Sequence, residues 1–292
     1  MKTGFHAMQG HRIPVSSVMM ILRSFLDHGH ELFLSASLQK SLGESASGLP
    51  FHVFNAEKDA FGLDLFLSLG GDGTLLDSQI YTLRNRIPVL GLNFGRLGFL
   101  PSIPSTEIPH LLELAAQDKL PVQERSVLEL ETDGVLNPFQ DFPFALNEVA
   151  VIKKDSSSMI HIRTDVDGIF LNEYWGDGLI VASPTGSTGY SLSCGGPILW
   201  PESETMVLTP VSPHNLSMRP LVLSSSTKVD MVPSGRSPKV MLSMDSRSKP
   251  FPVNQKVQVK CSREKAFFVK LSEPGFPSTL REKLYWGKDF RN

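Results

Sequence analysis

Leu63-Asp64-Leu65-Phe66-Leu67-Ser68-Leu69-Gly70-Gly71-Asp72-Gly73-Thr74-Leu75-Leu76 opens as an apolar run and closes on three glycines around one aspartate. Its first half reads as a buried strand. Thr74 stands where an N-cap belongs, and Leu75, Leu76, Ile80 and Leu83 have helical spacing behind it. Strand, glycine turn and helix N-terminus together form a phosphate cradle: backbone N–H groups approach the anion, and the helix start adds about half a positive charge. Gly70, Gly71, Gly73 and Thr74 are therefore the candidate phosphate-donor loop. Asp72 is the odd member, because a carboxylate repels phosphate. An exposed Asp beside bound phosphate points to proton acceptance from a hydroxyl, or to metal handling.

Working outward from that turn, residues 1 to 120 alternate strand-like and helix-like patterns. Lys2–Ala7, Glu31–Leu34 and Pro88–Asn93 read as strands, and Val15–His28 and Thr106–Gln117 as helices. The alternation predicts an α/β domain with a parallel sheet, and in such sheets ligands bind beyond the carboxyl ends of the strands. From 121 to 270 the pattern becomes short strands separated by Pro, Gly, Ser and Asn, which predicts a mainly β second domain. Residues 271–292 form a tail, with a helical pattern over Leu280–Trp286, expected to pack back on the first domain.

Composition sets the outer limits. The 292-residue chain is long enough for two cores. A net charge of −2 supplies no basic field for nucleic acid or an anionic membrane. Two cysteines, Cys194 and Cys261, make neither a disulfide framework nor a zinc cluster. The N-terminal residues lack a signal-peptide pattern, and no apolar run approaches the roughly 18 residues of a membrane span. The expectation is a cytoplasmic protein.

Three further segments carry chemistry. Asn93-Phe94-Gly95-Arg96-Leu97-Gly98-Phe99 leaves a strand end with an arginine suited to phosphate or carboxylate. Asn147-Glu148 sits inside an apolar strand pattern, Ala145–Ile152, which puts one polar group on each face; Glu148 then suits ribose hydroxyls. Asp177 begins an apolar strand that runs into Ser183-Pro184-Thr185-Gly186-Ser187-Thr188-Gly189-Tyr190-Ser191-Leu192-Ser193-Cys194-Gly195-Gly196-Pro197. Small hydroxyl residues, glycines and a single aromatic ring suit a nucleotide.

Gly70–Thr74, Asn147-Glu148, Asp177–Pro197 and Pro213-His214-Asn215-Leu216-Ser217-Met218-Arg219-Pro220-Leu221, in this order and spacing, resemble the NAD kinase family from about residue 60 to the end. That resemblance implies an enzyme that phosphorylates the 2′-hydroxyl of the adenosine ribose of NAD. It implies Asp72 as catalytic base and Gly73 as a nucleotide contact, Asn147 and Glu148 at the adenosine end, and Asp177 at the nicotinamide end or its ribose. Thr188, Gly189, Tyr190, Ser191, Leu192 and Ser193 would line the dinucleotide site. It further implies ATP as donor, Mg²⁺ arriving with ATP rather than on a metal site of the chain, and a homodimer or homotetramer. The chain departs from the family pattern at Ser183, Gly189 and Cys194, which are small-for-small exchanges. At Trp175 a basic residue is usual, and Asp245-Ser246-Arg247 replaces Asp-Gly-Gln; an arginine at 247 would be placed to alter dinucleotide affinity. The glycine turn alone also fits lipid kinases of the diacylglycerol or sphingosine type, and the pocket alone fits a non-catalytic dinucleotide sensor.

Overall fold

A computed structural model describes residues 1–10, 13–95, 98–155, 159–271 and 275–286. The chain divides into two compact units: Met1–Glu124 with Ala266–Asn292, and Arg125–Lys265.

The first unit is built on a parallel sheet. Its elements are β1 (Lys2–His6), α1 (Val15–Asp27), β2 (Glu31–Ser35), α2 (Ala36–Leu42), β3 (His52–Phe54), β4 (Leu65–Leu69), α3 (Asp72–Thr82), β5 (Val89–Asn93), β6 (Ser102–Pro104) and α4 (Ile108–Ala116). The strands pair in the order β5, β4, β1, β2, β3, all parallel, with β6 also on β5. Every residue of β4 is buried, which is why it reads as an unbroken apolar run; helices cover such a strand on both faces. The core gathers Phe5, Leu22, Phe25, Leu34, Leu67, Leu90 and Leu111, together with Val269 from the far end of the chain.

Through the second unit run β7 (Val122–Asp133), β8 (Phe144–Ala145), β9 (Glu148–Ile152), β10 (Ile160–Val166), β11 (Ile169–Gly176), β12 (Gly178–Ala182), α5 (Tyr190–Ser193), β13 (Thr205–Val211), β14 (Leu221–Ser224), β15 (Lys228–Ser234), β16 (Lys239–Met244), β17 (Arg247–Pro252) and β18 (Lys256–Val269). One antiparallel sheet has the order β14, β13, β12, β9, β16, β17. The series β11, β10, β15, β18 forms a second antiparallel run. Inward residues of both, such as Val149, Val151, Leu179 and Leu242 facing Ile162, Met231 and Val259, share one core. The outer face of β9, β12 and β13 is also buried, because Ala150, Ile180 and Val207 pack with Leu199 and Cys194 of the segment after β12. That cover fixes where the Pro/Gly/Ser/Thr segment lies. At the end of β18 the chain rejoins the first unit, where Phe268 pairs in parallel with Val89 and α6 (Phe276–Leu284) follows.

Several local expectations change. Thr74 is not an N-cap: α3 begins at Asp72 behind Gly71, and the Thr74 side chain is buried. The run 145–152 is broken, with Asn147 outside both β8 and β9. Among the strands expected to be short, β18 is 14 residues long.

Candidate functional site

In the first unit, β4 ends at Leu69 and Gly70 turns the chain with φ +155°, a region closed to most side chains. A methyl group on Gly70 would also strike the Thr74 hydroxyl. Gly71 and Gly73 are exposed, so the turn presents backbone to solvent at the start of α3. The hydroxyls of Ser68 and Thr74 are buried and make no hydrogen bond to a described residue.

Asp72 is half-buried rather than exposed, which corrects the sequence expectation. Its carboxylate accepts the N–H of Phe99 at 2.9 Å and of Leu100 at 3.3 Å. Gly98 packs directly against it, and any side chain there would overlap the carboxylate. Burial pushes the Asp72 carboxyl above the ordinary range, while the Phe99 and Leu100 amides and the Lys283 charge on α6 pull the other way. Burial prevails, so Asp72 is a more basic carboxylate than one in water. The loop after β5 was singled out in the sequence for Arg96, which lies outside the described residues; its contribution in the structure is the Gly98–Leu100 backbone.

In the second unit, Asn147 and Glu148 lead into β9. Asn147 C=O accepts the Ser183 N–H at 2.8 Å, and Gly186 packs on the Asn147 backbone so closely that a Cβ would overlap it. Ser183 Oγ donates to Leu146 C=O at 2.5 Å and accepts the Gly186 N–H at 3.1 Å. The segment after β12 is thereby folded onto the Asn147-Glu148 corner. Glu148 accepts the Tyr190 N–H, and Gly189 sits against the Glu148 carboxyl and the Asn147 amide. Asn147 Oδ1, Glu148 Oε2 and Thr185 Oγ1 are buried with no hydrogen bond to a described residue. Buried polar atoms need partners, so this corner has acceptor capacity to offer a ligand.

Glu148 is pushed up to about 8, first by burial and then by the nearby Asp245 charge, against the Tyr190 N–H. Asp245 stands in the sequence only as part of Asp245-Ser246-Arg247, with no sign of its partners, which are about a hundred positions away. Burial raises its carboxyl too, opposed by the N–H groups of Leu146, Asn147 and Glu148 and by Arg247. Three amides and a guanidinium favour charge on Asp245, and the proton then falls to Glu148.

Around this corner, Thr188 and Gly189 are half-buried, Tyr190 is 41% exposed, and Leu192 and Ser193 remain reachable from solvent. Ser191 is fully buried and bonded to Thr209 Oγ1 at 2.8 Å, and Ser187 Oγ donates to Pro184 C=O while accepting the Leu199 N–H. Those two hydroxyls hold the segment together rather than facing outward. Asp177 pairs with Lys153 at 2.7 Å, a partner the sequence did not reveal, and its charge reaches Tyr190. Trp175 lies between two imidazoles, 5.4 Å from His161 and 4.1 Å from His214. Arg247 is occupied elsewhere: its guanidinium donates to Phe142 C=O at 2.7 Å and to Phe144 C=O. Both cysteines are free thiols, and no helix of the described residues is long and apolar enough to cross a membrane.

The chain is similar to known proteins over most of its length. Residues 17–120 match the ATP-NAD kinase N-terminal domain and residues 146–271 the ATP-NAD kinase C-terminal domain. An NAD kinase of Cytophaga hutchinsonii is 44% identical over 242 residues, covering 83% of this chain and 82% of that protein. An NAD kinase of Flavobacterium psychrophilum is 41% identical, covering 83% of each. In the crystal structure of an Archaeoglobus fulgidus NAD kinase in complex with ATP, the fold is similar with a TM-score of 0.73 at 25% identity, over 98% of this chain and 99% of that one. A yeast NADH kinase complexed with NADH has the same fold, TM-score 0.86, at 22% identity over 99% of this chain and 89% of that one.

Proposed function

The chain belongs to the ATP-NAD kinase family, and from that premise we propose that Asp72 takes the proton of the NAD adenosine 2′-hydroxyl as ATP delivers its γ-phosphoryl group. The 2′-oxygen forms a bond to the γ-phosphorus, the bond from that phosphorus to the β–γ bridging oxygen breaks, and NADP and ADP leave. The proton passes from the hydroxyl to the Asp72 carboxylate and then to solvent. The observation that carries this reading is the carboxylate itself. It stands at the start of α3, beside the exposed glycine turn, held in one orientation by the Phe99 and Leu100 amides. Its raised basicity brings it nearer to the proton it must accept.

Gly70, Gly71, Gly73 and Thr74 serve the donor phosphates through backbone N–H groups and the positive end of α3. Asn147 and Glu148 hold the adenosine ribose; a protonated Glu148 can donate to a ribose oxygen as well as accept. Asp177 takes the nicotinamide end, and Thr188–Ser193 with Tyr190 line the dinucleotide. Among the described residues no cluster of three or more His, Cys, Asp or Glu is placed to hold a metal. One carboxylate beside a polyphosphate nevertheless suits Mg²⁺, which keeps its waters and binds through one or two carboxylates plus phosphate oxygens. Such an ion, arriving on ATP, would neutralise charge developing on the transferred group. The protein acts in the cytoplasm as a homodimer or homotetramer; the exposed apolar residues Ile169 and Phe170 on β11 support assembly.

The test is NADP formation from ATP, Mg²⁺ and NAD, with NADH run alongside as acceptor. Asp72→Asn is expected to lower kcat about 10²–10⁴-fold, the contribution of a positioned base, with KM for both substrates nearly unchanged. Near-wild-type turnover in that variant would remove Asp72 from the proton transfer.

A further inference from the structure

The turn joining β16 to β17 consists of Asp245 and Ser246, with Met244 paired to Arg247 across it. Asp245 has φ +51°, a conformation that few residues other than Gly, Asn and Asp adopt at low cost. That conformation continues the pairing with β9, since the Asp245 N–H donates to Glu148 C=O at 3.0 Å. The Asp245 carboxylate then accepts three successive N–H groups: Leu146 at 2.9 Å, Asn147 at 2.8 Å and Glu148 at 3.2 Å. Consecutive amides converging on one anion form a nest, normally a site for phosphate or a carboxylate ligand. Here the chain fills it with its own side chain.

Two residues on, Arg247 grips the same segment from its other end. Its guanidinium donates to the carbonyls of Phe142 and Phe144 and lies 5.4 Å from the Phe139 ring centroid and 5.0 Å from that of Phe142. Asp245 in the turn and Arg247 just after it thus hold residues 142–148 by three amides and two carbonyls. The bonds are charge-assisted, the strongest kind available to a backbone. Asn147 and Glu148 are the residues at the end of that grip: Asn147 lies between β8 and β9, and Glu148 opens β9.

We propose that Asp245 and Arg247 are positioning residues that fix the Asn147-Glu148 corner for NAD. The proposal rests on the assignment of Asn147 and Glu148 to the adenosine end of NAD. Neither residue touches the substrate in this scheme; each acts through the backbone it holds. Arg247, which in the sequence looked placed to modify dinucleotide affinity directly, modifies it by bracing.

The experiment uses Arg247→Met, which keeps the apolar stem against Phe139 and Phe142 and removes the donors. Steady-state kinetics are expected to show KM for NAD raised about tenfold, the size of one lost charge-assisted hydrogen bond, with kcat and KM for ATP within about threefold. Arg247→Lys, which can reach one carbonyl, should recover part of the loss. Hydrogen exchange should show faster amides over 144–148 in Arg247→Met and unchanged rates over β12. A general loosening would instead raise both KM values together, and that result, or a KM for NAD within twofold of wild type, overturns the proposal. Should Arg247→Met fail to fold, Asp245→Asn, which keeps the turn and weakens the nest, is read by the same measurements. The two layers separate cleanly. A wild-type protein that makes no NADP sinks the functional reading, while the exchange rates still test the brace. Fast exchange at 146–148 in an active wild-type enzyme sinks the brace alone.

Discussion

Two carboxyl groups, Glu148 and Asp245, lie close enough in a buried corner to feel each other's charge, yet only Asp245 is surrounded by donors. Desolvation penalises each charge separately, and like charges in a low-dielectric setting penalise the pair further. The proton therefore resides on Glu148 at neutral pH. The consequence for stability has a definite sign. With a carboxyl at about 8 in the folded protein against 4.5 for the free side chain, the folded state binds the extra proton between those values. Stability from this group is present below the lower value and is lost as pH rises through the upper one. Thermal melting from pH 6 to 9 should show wild type losing more stability than Glu148→Gln, which cannot ionise. Parallel curves would mean that Glu148 is already ionised at neutral pH. None of this was visible in the dipeptide Asn147-Glu148, because the charge that moves its proton comes from a residue 97 positions away.

At the scale of elements, α3 carries Asp72 at its start and Asp77 on its second turn. Asp77 Oδ2 lies 2.9 Å from Nε2 of His6, a side chain only 2% exposed at the end of β1. His6 Nδ1 in turn meets Ser35 Oγ at 3.0 Å, so one imidazole joins β1, β2 and α3. Removing one partner of such a contact leaves the other buried and unpaired. Asp77→Ala should therefore lower unfolding free energy by about 1–3 kcal/mol, read as a lower midpoint in urea. The paired change His6→Leu with Asp77→Leu should recover much of it. An unchanged midpoint in Asp77→Ala would show that the imidazole contact contributes nothing. β4 and β5 were legible because burial on both faces writes an unbroken apolar run, and α1 because its buried residues recur at helical spacing. β17 was not, since Arg247–Pro252 holds two prolines and exposed polar residues and exists only by pairing with β16. Asp72 read as exposed because the loop that buries it arrives 26 residues later, at Gly98.

On the scale of the whole molecule, β11 is an edge strand whose residues Ile169, Phe170 and Leu171 are 74%, 53% and 37% exposed. Edge strands carrying large apolar side chains invite pairing with another chain, and a second copy related by a two-fold axis would satisfy this. Light scattering of the purified protein should give a dimer or tetramer. Phe170→Glu should shift it toward the monomer without loss of fold, and an unaffected mass would place the interface elsewhere. The sequence marked the change from α/β to β composition near residue 121, and the structure's first unit runs to Glu124 and resumes at Ala266. That return has a consequence in time. A ribosome must make the whole of Arg125–Lys265 before it makes Phe268 and Val269, which are fully buried beside β5 and in the first core. At ~5–20 residues per second the unit that starts the chain waits on the order of ten seconds for its closing strand. The first unit, which carries the Gly70–Thr74 turn, cannot complete its core until the inserted β unit has been made.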